Sequence, residues 1–178
     1  DLTDVDWTPI GNNSSHSYNG TFEGNGDTIR NLTYNKTADY VGLFGYVGSG
    51  GTIQNLGLAS SSITGSDYVG GIVGCLESGG TVSKCCYKGV VNGVNYVGGI
   101  VGNSEGNIEN SYFTGAEGVS YGSVVVNATT SYAGGICGYN IGTITSTYVG
   151  SRGSINVTAG TSHAGGICGY NSGAVTNC

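Results

Sequence analysis

Two histidines, six cysteines and a sparse set of carboxylates are the residues of this 178-residue chain whose types could support chemistry. His16 and His163 stand far apart, and the absence of a His-Glu-x-x-His pattern leaves zinc peptidase chemistry unencoded. His163 occupies a slot that Tyr fills in four related segments, so a ring stacked on other rings is its expected role. Glycoside cleavage needs two carboxyl groups about 5 to 9.5 Å apart. Glu105 and Glu109 are the closest pair outside the N-terminus, but they flank a strand start and have no Lys or Arg in the same unit. Asp1, Asp4 and Asp6 lack the spacing of a calcium loop and read as a solvated acidic lead-in. The sequence therefore predicts no catalytic residue, no metal and no cofactor.

The cysteines pose a structural question. Cys137 and Cys168 fall at one repeat position, and Cys75 lies a short corner away from Cys85 and Cys86. If successive units stack as strands, Cα atoms lie about 4.8 Å apart, within the disulfide range. Disulfides among Cys137, Cys168, Cys75 and Cys86 are thus allowed, and a buried thiol acting as a small hydrophobe suits the same positions.

What positions these residues is a repeat. Tyr40-Val-Gly-Leu-Phe-Gly, Tyr68-Val-Gly-Gly-Ile-Val-Gly, Tyr96-Val-Gly-Gly-Ile-Val-Gly, Tyr132-Ala-Gly-Gly-Ile-Cys-Gly and His163-Ala-Gly-Gly-Ile-Cys-Gly are spaced by 28, 28, 36 and 31 residues. Each is followed by a segment of the type Gly51-Thr-Ile-Gln-Asn, and then by one rich in β-branched residues, such as Gly89-Val-Val-Asn. Helical apolar periodicity is missing, and each glycine would cost roughly 1 kcal/mol inside a helix. The reading is all-β: a β-solenoid, parallel β-helix-like, with about 28-residue repeats and three short strands per coil. Phe44, Val73, Val101, Cys137 and Cys168 are expected to form one interior column. Ile53, Val82, Ile108, Ile144 and Val175 are expected to form a second.

One domain spans residues 1–178, with 1–38 as an N-terminal capping coil and 39–178 as five repeats, the last truncated. Glycine numbers 36, and charged residues make up only 9%. A hydrophobic share of 38% and a single proline argue against disorder. The net charge of -6, without a basic cluster in sequence, argues against nucleic acid. No apolar run is long enough to insert in a membrane. The N-terminus lacks a signal peptide, as expected of a processed chain or a fragment of a longer one.

The copies at Gly42-Leu-Phe-Gly45, Gly71-Ile-Val-Gly74 and Gly99-Ile-Val-Gly102 resemble the GLUG motif, a bacterial repeat with a Gly-hydrophobic-Gly core. The stretch from Trp7 to Leu32 is similar to the region that precedes such repeats in large surface proteins. The resemblance implies an exported, adhesin-like protein, or the non-catalytic part of an immunoglobulin A-cleaving metallopeptidase, and it carries no catalytic residues. The long insertion at residues 117–130, with Cys137 and Cys168, departs from the pattern. The expected role is a non-catalytic stalk, spacer or adhesion module at the cell surface or outside the cell, joined to neighbouring domains. Its expected partner is a host glycan or extracellular protein, bound through the inserted loop at Tyr121. A carbohydrate-active or carbohydrate-binding β-helix is the alternative.

Overall fold

A computed structural model describes residues 1–114, 122–126, 130–157 and 161–178. The strands of successive repeats pair in parallel and in register, apart from a bulge at Ser60 (φ 54°) in the fourth wall, forming a β-solenoid in which each wall is a sheet built from equivalent segments of successive coils. Wall I contains Asp67–Gly70, Asn95–Gly98, Thr130–Gly134 and Thr161–Gly165. Wall II contains Phe44–Val47, Val73–Leu76, Val101–Ser104, Cys137–Asn140 and Cys168–Asn171. Wall III begins with Thr21–Glu23 and continues through Thr52–Gln54, Thr81–Ser83, Asn107–Glu109, Thr143–Thr145 and Ala174–Thr176. Wall IV holds the long strands Gly57–Thr64 and Cys86–Gly93. On one side of them lie Thr28–Arg30 and Thr33–Asn35. On the other, each later coil splits the wall in two: Tyr112–Thr114 with Gly122–Val126, then Tyr148–Val149 with Gly153–Val157.

The repeat and the solenoid are those the sequence predicts, but a coil has four walls, with four strands or, where wall IV splits, five, rather than three. The Tyr-Val-Gly-Gly-Ile-Val-Gly segment supplies two of them, because its paired glycines turn a corner instead of continuing one strand. At Gly70, Gly98, Gly134 and Gly165 an added Cβ would lie within 2.1 Å of the carbonyl oxygen three residues ahead. At Gly71 and Gly99 it would enter the interior rings of Tyr87 and Phe113. These glycines exist because the walls meet too closely for a side chain.

The interior is a set of columns. Phe44, Val73, Val101, Cys137 and Cys168 are in register, as are Ile53, Val82, Ile108, Ile144 and Val175, with Phe22 at the base. Both follow the sequence expectation in register, but Val175 in the last coil is 38% exposed rather than interior, since no further described coil covers it. A third column runs Ile29, Leu58, Tyr87, Phe113 and Val149. Most members are fully buried, at roughly 1.5 to 3 kcal/mol of transfer free energy for each large side chain. The N-terminal segment adds a layer of its own, since Ile10 bridges to Phe44 and Tyr18 to Val47. The corner from wall III to wall IV is left-handed at Asn55, Lys84, Asn110, Ser146 and Asn177, with φ between 48° and 55°. Asparagine tolerates that conformation best after glycine.

Gly98→Ala is expected to destabilise the fold by about 2 to 3 kcal/mol in chemical denaturation, because its methyl group would meet the Val101 carbonyl at 1.9 Å. Gly166→Ala, whose Cβ meets nothing within 4 Å, should stay within about 0.5 kcal/mol of the parent. Equal losses in the two variants would refute the close-wall explanation.

Candidate functional site

Two features of the outer surface could serve function. The first is an aromatic face along walls I and II. Tyr40, Tyr68 and Tyr96 stack at 4.9 Å with planes within 4° of parallel, and Tyr132 and His163 extend the stack at 5.6 and 5.1 Å. Tyr40, Tyr68 and Tyr96 adopt φ of 53° to 57°, a conformation that costs a bulky residue roughly 1 to 2 kcal/mol. Each aromatic contact returns about 0.5 to 1.5 kcal/mol, so the two effects nearly balance. Beyond the long insertion Tyr132 joins a regular strand pairing opposite His163, and there the stack tilts by 21° to 23°. A second row, Tyr139 and Tyr170, stacks at 4.5 Å and meets the first row edge-on. Stacking consumes ring faces along both rows. Sugar recognition by stacking needs a free face, so these tyrosines chiefly tie one coil to the next.

The second feature is an open groove of about 500 Å³ on the outer side of wall IV. Its depth follows from register. The outward column Thr28, Gly57, Cys86, Tyr112 has no side chain at its second level, and the column Arg30, Ala59, Lys88, Thr114 has only a methyl there. The coil of Gly57 and Ala59 is therefore recessed between its neighbours. Arg30, Lys84 and Lys88 line the recess, although the whole chain has five basic residues against eleven acidic ones. Among the described residues none of the three has a carboxylate within 4.0 Å, whereas Lys36 is paired with Asp6 at 2.6 Å. Glu23 lies near Lys84, but its oxygens accept from the Asn25 amide and from the Gln54 and Asn55 side chains. The Asn25 amide first, then Asn55, hold this carboxyl below its ordinary range, with Lys84 adding a smaller effect. Tyr112 closes one end of the groove and stacks on Tyr148 at 5.0 Å. Hydrogen bonding with Cys86, reinforced by burial, pushes its phenol up to about 12.

The cysteines divide by column, and all six are free. Cys137 and Cys168 are register partners in the interior, and burial raises both thiols, that of Cys168 to about 12. Cys75 and Cys86 are not brought together: the expected short corner between them contains the wall III strand Thr81–Ser83. Cys75 lies on wall II with Tyr46 and Asn103 as register partners, and Cys86 lies on wall IV between Gly57 and Tyr112. Cys85 points inward, where burial raises its thiol to about 12. Cys178 is exposed and lies 3.3 Å from the Thr147 hydroxyl.

His163 stacks on Tyr132 as expected, while His16 sits in the exposed turn Ser14–His16 near Asn13. Glu109 ends a wall III strand in register with Ser83 and Thr145, and Glu105 occupies the preceding bend. Tyr121 and most of the inserted loop lie outside the described residues. Sequence reading missed the groove, whose members come from coils about 28 residues apart; only the two missing side chains at Gly57 and Ala59 could have signalled it.

Residues 93–117 match the family model of the GLUG motif. An 85-residue stretch is 45% identical to halomucin of Haloquadratum walsbyi, covering 47% of this chain and 1% of that protein. A 59-residue stretch is 41% identical to a Gly-rich membrane protein of Evansella cellulosilytica, covering 33% of this chain and 7% of that protein. The chain thus spans a small fraction of the length of these relatives. No solved structure matches.

Two measurements check this description. A phenol that titrates higher in the folded state than in the unfolded chain contributes stability that is complete below pH 10 and lost as pH rises through about 12. Phenolate absorbance should accordingly show a late phase that loses one phenol in Tyr112→Phe and has that phenol move to lower pH in Cys86→Ala; a Tyr112 phenol unmoved by Cys86→Ala would contradict the Cys86 contact. A thiol reagent applied to native protein should label Cys178 first and reach Cys85 and Cys137 only on unfolding. Rapid labelling of Cys137 would contradict its burial.

Proposed function

We propose that the chain is a non-catalytic repeat module of a surface protein, acting as a rigid spacer that holds neighbouring domains of a longer chain at a set distance. The observation that carries this reading is the unbroken register of wall III, where six parallel strands share one interior column from Phe22 to Val175. Each coil adds a rise of about 4.8 Å, and every level is bonded to the next through its backbone. Such a rod converts repeat number directly into length. The GLUG match and the names of the two relatives support a surface address. Glu105 sits in a bend and Glu109 ends the following strand. Among the described residues no group of three or more His, Cys, Asp or Glu could hold a metal ion.

A spacer must keep its shape in solution and leave polysaccharides intact. Small-angle X-ray scattering is expected to give a rod of constant cross-section that persists in moderate denaturant until cooperative loss. Incubation with a panel of neutral and acidic polysaccharides should release no new reducing ends. Turnover that disappears in Glu105→Gln or Glu109→Gln would overturn the non-catalytic reading, and a flexible, expanded scattering profile would overturn the spacer.

A further inference from the structure

We propose that the recessed groove on wall IV binds an acidic polysaccharide, with Arg30, Lys84 and Lys88 meeting its carboxylate or sulfate groups. This goes beyond the spacer reading and stands independently of it, since a module that fails the rigidity test can still bind through this face.

Charge placement is the first argument. A chain with net charge -6 gathers three of its five basic residues at one recess, and among the described residues none of the three has a carboxylate within 4.0 Å, although Glu23 lies near Lys84. A charge left over from solubility would be distributed along the rod. Here Arg30 and Lys88 share one outward column and are separated by the level of Ala59, which places them on the order of 10 Å apart along the axis. That is the length of a disaccharide, so a polymer charged at every second sugar meets both cations at once.

Shape is the second argument. Gly57 and Ala59 remove the floor between two raised levels, leaving a trough of about 500 Å³, within the range of small-ligand sites. The trough is open at the surface, as a polymer that continues beyond its bound sugars requires. Tyr112, steadied by Tyr148, bounds one end and offers a hydroxyl and an apolar ring edge, the mixed surface a sugar presents in return.

Backbone is the third. Lys84 holds a left-handed conformation, φ 52°, at a corner where three of the four equivalent positions in the other coils are asparagine. Asparagine bonds locally and adopts that geometry more readily, whereas lysine holds it at a conformational cost. Its position on the rim of the groove gives this strained lysine a role there. Phosphate groups on a membrane surface share the anionic chemistry. The narrow, axial trough with paired cations fits a single extended chain better than a plane of headgroups.

The test measures binding of the 178-residue chain to oligosaccharides of polygalacturonate and of sulfated dextran, with neutral dextran, inorganic phosphate and phosphatidylglycerol vesicles as further arms. Saturable binding to a charged oligosaccharide that weakens with added salt is the expected result. Lys84→Gln with Lys88→Gln should weaken it about tenfold or more. Arg152→Gln, which removes a cation outside the groove, should change it less than about twofold. Ala59→Leu keeps every charge and fills the recess, and should also abolish binding; circular dichroism and thermal midpoints confirm that each variant is folded. Absence of binding to both charged oligosaccharides, equal weakening by Arg152→Gln, an unaffected Ala59→Leu variant, or binding to vesicles or phosphate in place of the saccharides would each overturn the proposal.

Discussion

In-register parallel stacking is the constraint from which the rest of this structure follows. Every side chain sits about 4.8 Å from its counterpart in the coil above and the coil below, so a residue is selected for what it does to its own column as much as for its own environment. Apolar residues gain from this twice, once by leaving water and once by packing on a similar neighbour. The interior column from Phe22 through Ile53 to Val175 shows the outcome. Aromatic residues gain through ring stacking, enough to offset the left-handed backbone at Tyr40, Tyr68 and Tyr96. Glycine is needed wherever two walls meet backbone to backbone.

The same constraint explains why only 9% of the residues are charged. Identical charges one level apart would repel across a short gap, so charged residues stand between neutral ones. Lys84 lies between Asn55 and Asn110 in the corner column, Lys88 between Ala59 and Thr114, and Glu109 between Ser83 and Thr145. Asp39 below Asp67 and Glu77 below Glu105 are departures; at the first, the Asp67 amide donates to the Asp39 carboxylate while Asn95 donates to that of Asp67, and at the second Tyr46 donates to Glu77. Spacing like charges two levels apart also makes a groove possible. Arg30 and Lys88 can share a column because Ala59 separates them.

Much of the fold was legible because the repeat writes the columns into the sequence. Aligning the five glycine motifs places Val73 over Phe44 and His163 over Tyr132, and the structure pairs them so. The fourth strand of each coil was not legible, because a paired glycine reads equally as a flexible strand interior or as a corner. Only the carbonyl facing Gly98 decides between them. Cys75 and Cys86 were misjudged for a related reason. A short polar segment between them resembled a turn, yet it pairs on both sides as a strand of wall III and carries the two cysteines onto different walls.

The sequence by itself determined the repeat, the β-solenoid class and the identity of two interior columns, since these depend on periodicity that any one coil shares with the next; the third, through Leu58, Tyr87 and Phe113, emerged only from the structure. The tertiary structure alone decided which outward residues become neighbours across coils. Thr28, Lys84 and Tyr112 are remote along the chain, and nothing in their local sequence marks them as companions. Their meeting around the recess of Gly57 and Ala59 depends on the register of three coils and on the corner geometry that carries wall III into wall IV. Function at such a surface is a property of stacked levels, and stacking is set by the backbone pairing of the whole rod.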